Sequence, residues 1–126
     1  MRNGASMAGW RVLVVEDNFL LAMEIEDLLA RQGCAVLGPV GTIEHALALL
    51  EREAPPDVAV LDVDLQGRVV TPVAAALRAR DVPYLLVTGY ADLQLGDPEL
   101  QGRPRLDKPV NDHELLRALL DLLRQG

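Results

Sequence analysis

Four short stretches carry the side chains with usable chemistry: Glu16-Asp17, Asp62-Val63-Asp64, Thr88-Gly89 and Lys108-Pro109. Carboxylates, a hydroxyl and an ammonium could bind a hard cation and a phosphoryl group, provided the fold brings them together. A carboxylate oxygen is a competent nucleophile for forming an acyl phosphate. A metal and a lysine would neutralise the equatorial oxygens of the group being transferred. Crowded carboxylates repel, which pushes one of them toward protonation. A divalent cation such as Mg2+ resolves that conflict by taking one or two carboxylates, waters and phosphate oxygens.

The elements that must position these groups can be read around them. Residues 58–61 (Val-Ala-Val-Leu) form a continuous apolar run after Ala54-Pro55-Pro56, as in a strand buried on both faces of a parallel sheet. Asp62 stands where that run stops, at the edge of an open α/β sheet where ligands bind. Residues 11–15 (Arg-Val-Leu-Val-Val) read as another such strand and end in Glu16-Asp17. Asn18 then caps a helix with Leu21, Ile25, Leu28 and Leu29 inward, stopped by Gly33. Residues 34–37 read as strand two, closed by Gly38-Pro39. Thr42 caps a second helix with Ile43, Leu47 and Leu50 inward. Thr71-Pro72 reads as a cap followed by proline at the first helical position, opening a third helix with Val73, Ala76 and Leu77 inward. Residues 84–87 form strand four and end in Thr88-Gly89.

From residue 91 to 105, Gly96, Asp97-Pro98, Gly102 and Arg103-Pro104 break any long helix. The expectation there is a short or mobile fourth helix, then a weak fifth strand at 105–107. Asn111 with Glu114 resembles a capping box for the last helix. One strand between successive helices predicts a doubly wound, five-stranded parallel sheet of flavodoxin-like (βα)5 type. All the chemical stretches then lie along one sheet edge.

Composition bounds the function. The 126 residues suit one domain, half of them are hydrophobic, and the single cysteine, Cys34, excludes a disulfide framework. Cys34 reads as a small buried hydrophobe. The net charge of −7 and the lack of a basic cluster argue against nucleic acid. No apolar run approaches a membrane span, so a cytoplasmic protein is expected. Residues 1–9 read as a loose tail before a domain at 10–126.

Val-Val-Glu-Asp, Val-Leu-Asp-Val-Asp-Leu, Val-Thr-Gly and Asp-Lys-Pro, in this order and spacing, resemble the receiver domain of two-component response regulators. The resemblance runs from Trp10 to about Leu123. It implies a Mg2+-dependent phosphoacceptor, with phosphorylation on Asp62 acting as a switch or phosphate shuttle in a phosphorelay. Asp17 and Asp62 are then metal ligands, Glu16 helps through water, and the Asp64 backbone carbonyl supplies a further ligand. Thr88 and Lys108 meet the phosphoryl group, and Lys108-Pro109 is a candidate cis peptide. The implied partners are a histidine kinase or histidine phosphotransfer protein and a downstream protein target, with no turnover of an external substrate. Leu-Val-Thr-Gly-Tyr resembles the Phe-Ala-Thr-Gly motif of a receiver subgroup that often stands alone. Leu65-Gln66-Gly67-Arg68 replaces the family's usual proline-containing turn, and Arg105 stands where an aromatic switch residue is common, with Tyr90 as a substitute. Two other readings stay open. Asp62-Val63-Asp64 resembles the Asp-x-Asp of haloacid-dehalogenase-type phosphatases, and the chain could be a receiver excised from a hybrid kinase.

Two apolar surpluses suggest partners. Phe19, Leu20 and Met23 point away from the core face of helix one, which suits docking of a phosphodonor protein. Leu115, Leu116, Leu119, Leu120, Leu122 and Leu123 exceed what one core-facing stripe needs, which allows a homodimer. His45 and His113 read as surface residues.

Overall fold

The computed structural model describes residues 7–89 and 98–125. Five strands form the parallel sheet in the order β2-β1-β3-β6-β7: β1 (Arg11–Val15), β2 (Ala35–Val40), β3 (Val58–Asp62), β6 (Tyr84–Thr88) and β7 (Arg105–Asp107). A separate two-stranded hairpin, β4 (Asp64–Leu65) and β5 (Arg68–Val69), follows β3. The described helices are α1 (Phe19–Arg31), α2 (Ile43–Arg52), α3 (Thr71–Ala79) and α4 (Asp112–Gln125). This is the doubly wound order that the alternation of elements predicts. The expected fourth helix falls largely at residues 90–97, outside the described residues, as does Tyr90.

The sheet splits the core by side-chain parity, because successive residues of a strand face opposite sides. Leu13, Val15, Ala59, Leu61, Tyr84 and Leu86 pack against α2 and α3. Val12, Val14, Val58, Val60, Leu85 and Val87 pack against α1 and α4. Both faces of the central strands are therefore dry, which is why their sequences run apolar without alternation.

Several local readings change. Strand β2 does not close at Leu37 but continues through Gly38-Pro39 to Val40, with a register shift between Leu13 and Val15 of its partner and a cis Gly38-Pro39 bond. Pro39 fits because β2 is an edge strand, where a missing N–H costs nothing. Val70, not Thr71, holds the cap position of α3, without a side-chain cap bond, and Pro72 sits in the first turn. The inward helix faces differ in part from those that the leucine pattern implied. The buried faces use Ala22, Ala46 and Ala74, while Leu21, Leu47 and Ala76 are only partly buried. Within the stretch expected as a tail, Met7 is 2% exposed in the α1–α4 layer, and the exposed Gly9 donates its N–H to the Gly33 carbonyl. Cys34 is only half-buried, its Sγ donating to the Met7 carbonyl, and burial pushes its thiol pKa up. The surplus leucines of α4 are absorbed: Leu115, Leu119 and Leu122 are buried, and Leu116, Leu120 and Leu123 pack partly buried against the same layer. That stripe therefore supplies no argument for a second copy. No described helix is long and apolar enough to cross a membrane.

Candidate functional site

Strand register assembles the site. Val15 pairs with Leu61, so Glu16 and Asp62 follow side by side at the ends of β1 and β3. Asp62 pairs with Val87, which sets Thr88 one step beyond it. Thr88 pairs with Asp107, which sets Lys108 one step further. The Lys108 N–H donates to the Thr88 carbonyl at 2.8 Å, carrying the ladder into the loop, and the Lys108-Pro109 bond is cis.

Those neighbours converge in space. Lys108 Nζ lies 3.2 Å from Asp62 Oδ2 and 3.3 Å from Glu16 Oε1. Glu16 and Asp62 are each 4% exposed and Thr88 is 1% exposed. Oxygen atoms of Glu16, Asp17 and Asp62 all come within 4.8 Å of one another. Asp17, Asn18, Asp62, Asp64, Thr88, Gly89 and Lys108 line an open cleft of about 440 Å³. A Cβ at Gly89 would lie 3.9 Å from the Lys108 Cδ, an ordinary van der Waals contact. All the site residues singled out in the sequence thus meet at one edge.

Two buried carboxylates meet one ammonium, with Asp17 close beside them, and burying charge without full compensation costs roughly several kcal/mol per ion. The imbalance shows in the protonation equilibria. Burial, reinforced by Glu16 alongside, pushes the Asp62 pKa up to about 7. Burial disfavours the Lys108 ammonium, yet Asp62 and Glu16 outweigh it and hold its pKa above the usual lysine value. All-oxygen, anionic and half-enclosed, the donor set fits a hard divalent cation and no soft metal.

Backbone donors hold the acids in place. The Asn18 N–H donates to Glu16 Oε2 at 2.9 Å and the Asp64 N–H to Asp62 Oδ1 at 3.2 Å. Asn18 Oδ1 accepts from the Leu21 N–H, capping α1 directly behind the acid pair. The Gln66 N–H donates to Asp17 Oδ2 at 3.0 Å. That last contact was missed in the sequence, although glycine after Gln66 between two short extended runs is a hairpin signal. The Asp64 carboxylate turns into the same hairpin, where Oδ1 accepts from the Gly67 N–H at 2.9 Å. There Oδ1 serves to form the turn.

The fold and this edge are those of a receiver-type signalling domain. The sequence matches the response regulator receiver domain over residues 12–120, and the chain belongs to that family. It is 27% identical over 112 residues to the transcriptional regulatory protein PdtaR of Mycobacterium tuberculosis, a match covering 86% of this chain and 54% of that protein. The chain therefore spans about half the length of the curated relatives it matches. SdrG from Sphingomonas melonis is 40% identical, with a TM-score of 0.78 over 94% of this chain and 98% of that one. The receiver domain of the Pseudomonas aeruginosa sensor histidine kinase PA1611, solved with magnesium in its active-site cleft, is 29% identical. Its TM-score is 0.77, over 93% of this chain and 99% of that one.

Proposed function

We propose that this receiver takes a phosphoryl group on Asp62 from a phosphohistidine protein and releases it later to water or a further acceptor. A carboxylate oxygen of Asp62 forms the new P–O bond, the P–N bond to the donor imidazole breaks, and the imidazole nitrogen takes a proton. The single observation that carries this reading is the buried Asp62 carboxylate 3.2 Å from the Lys108 ammonium, inside an acidic cluster open to solvent.

Mg2+ would be held by Asp17, Asp62 and the Asp64 backbone carbonyl, with Glu16 acting through water; once bound, it neutralises phosphoryl oxygens. The residues themselves do the rest. Lys108 supplies the fixed positive charge. Thr88, beside Asp62 in the ladder, supplies a hydroxyl for a phosphoryl oxygen. The backbone donors to Glu16 and Asp62 keep both acids from rotating away. Phosphorylation adds negative charge at the sheet edge, and Thr88 with Lys108 draws toward it.

The donor docks on the exposed face of α1, where Phe19 (77% exposed), Leu20 (70%) and Met23 (48%) flank the acid pair. Apolar exposure of that size beside a reaction centre suits a helical protein partner. The 40% identity to SdrG, which spans little more than this fold, supports the stand-alone subgroup. The phosphoacceptor reading is the same if the chain belongs to a hybrid kinase.

Incubation with acetyl phosphate and Mg2+ tests the reading. One acyl phosphate per chain, released by alkali and by hydroxylamine, is expected on the wild type and none on Asp62→Ala. Unmodified wild type, or equal labelling of both, would refute it.

A further inference from the structure

The hairpin after β3 does more than join a strand to a helix. Gln66 and Gly67 have φ values of 54° and 85°, the sign pair of a type I′ hairpin turn. The turn is held on every side. Leu65 is buried, the Val70 N–H donates to the Val63 carbonyl at 2.8 Å, Asp64 Oδ1 accepts from Gly67, and Arg68 pairs with Glu44 of α2. What this rigid turn presents outward is the Gln66 N–H, 3.0 Å from Asp17 Oδ2 and 49 residues away in sequence. Gly41 of the β2–α2 loop also neighbours Asp17: a Cβ there would lie 3.4 Å from the Asp17 Cα, an ordinary van der Waals contact.

A carboxylate has two oxygens, and a donor on one orients the other. Groups that orient a ligand in this way change cation affinity by roughly 10- to 100-fold. Among the described residues Lys108 pairs with Glu16 and Asp62, whereas Asp17 is held by the Gln66 N–H of the hairpin. We propose that the Gln66 backbone N–H is a positioning group that pre-orients Asp17 for the divalent cation, and that the Gln66-Gly67 turn exists to aim it. The proposal rests on the cation-dependent phosphoacceptor reading above.

The backbone offers a clean probe. Gly67 and Gly102 both have positive φ (85° and 70°), and a side chain at either would meet nothing within 4 Å. A β-branched residue therefore strains the backbone equally at both, but only Gly67 belongs to the turn that reaches Asp17. Mg2+ alone, titrated calorimetrically, should bind Gly67→Val about tenfold more weakly than wild type. Gly102→Val should bind as wild type, and so should Gly67→Asn, because asparagine tolerates this conformation. Equal affinity of Gly67→Val and wild type, or equal loss in both valine variants, overturns the proposal.

A second measurement needs neither metal nor a strained turn. Amide exchange at Gln66 should be slow in the wild type and faster in Asp17→Ala, which leaves the hairpin intact. Unchanged exchange overturns the proposal even if Mg2+ binds. A wild type that binds no Mg2+ while Gln66 exchange responds to Asp17→Ala instead overturns the cation reading on which the proposal is built.

Discussion

Lys108 Nζ and Asp62 Oδ2 lie 3.2 Å apart although 46 residues separate them in the chain. The contact exists because β6 and β7 carry the ladder from Asp62 through Thr88 to Lys108, one step at a time. Since the same ammonium also meets Glu16, it stands between two buried acids. Removing it leaves them facing each other.

Lys108→Ala should therefore destabilise the metal-free protein. Breaking a buried pair costs about 3–5 kcal/mol. The lysine is partly open to solvent, so about 2 kcal/mol is expected. The loss should be larger at pH 8 than at pH 5, where protonation of Asp62 relieves the repulsion. Urea denaturation at both pH values, in chelator, checks both size and order.

The wild type itself should show an inverted pH dependence. The Asp62 pKa is raised from 3.8 to about 7, so between those values the folded state binds more protons than the unfolded chain. This group's contribution is greatest below pH 4 and is lost as pH rises toward 7, opposite to an ordinary paired aspartate. Asp62→Asn cannot ionise and should flatten that slope, raising the melting temperature most at pH 8. Comparing wild type and Asp62→Asn by thermal melts in chelator isolates the group from the background of net negative charge. Mg2+ should close the gap at pH 8 and have little effect at pH 5, since binding needs the ionised acid.

Docking through α1 separates from chemistry. Phe19→Ser with Met23→Ser should slow phosphotransfer from a phosphohistidine protein about tenfold, the scale of losing an apolar anchor. Labelling by acetyl phosphate should be unchanged. Parallel time courses with the two donors decide it, and equal loss in both would reject the docking role.

Asp81 ends α3 with φ 58°, a left-handed conformation in which the Val82 N–H donates back to the Leu77 carbonyl. Glycine avoids the steric penalty there but loses more chain entropy. Asp81→Gly should stabilise the fold by about 0.5 kcal/mol net, measurable as a shifted denaturation midpoint with unchanged slope.

The sequence made the strand ends legible because a strand buried on both faces must be apolar throughout, so each chemical residue marks an abrupt stop. Glu16, Asp62 and Thr88 are conspicuous for that reason. Helix faces were less legible: a leucine and an alanine one position apart both look apolar, and only the helix's rotation on the sheet decides that Ala22 is buried and Leu21 partly so. Strand β2 was cut short because Gly38-Pro39 looks like a terminator unless the strand is known to lie at the edge. The Gln66–Asp17 contact escaped because a backbone N–H has no signature in side-chain identity. Only the positive φ of the turn, hinted at by Gly67, could have pointed to it.

Met7 carries a practical consequence. The receiver match spans residues 12–120, yet Met7 and Leu122 are both buried in the α1–α4 layer and Trp10 packs against it. Trimming the chain to the matched segment would excise part of the hydrophobic interior along with the ends. Expression designs and fusion junctions are better placed ahead of Met7 and after Gln125 than at the limits of family similarity.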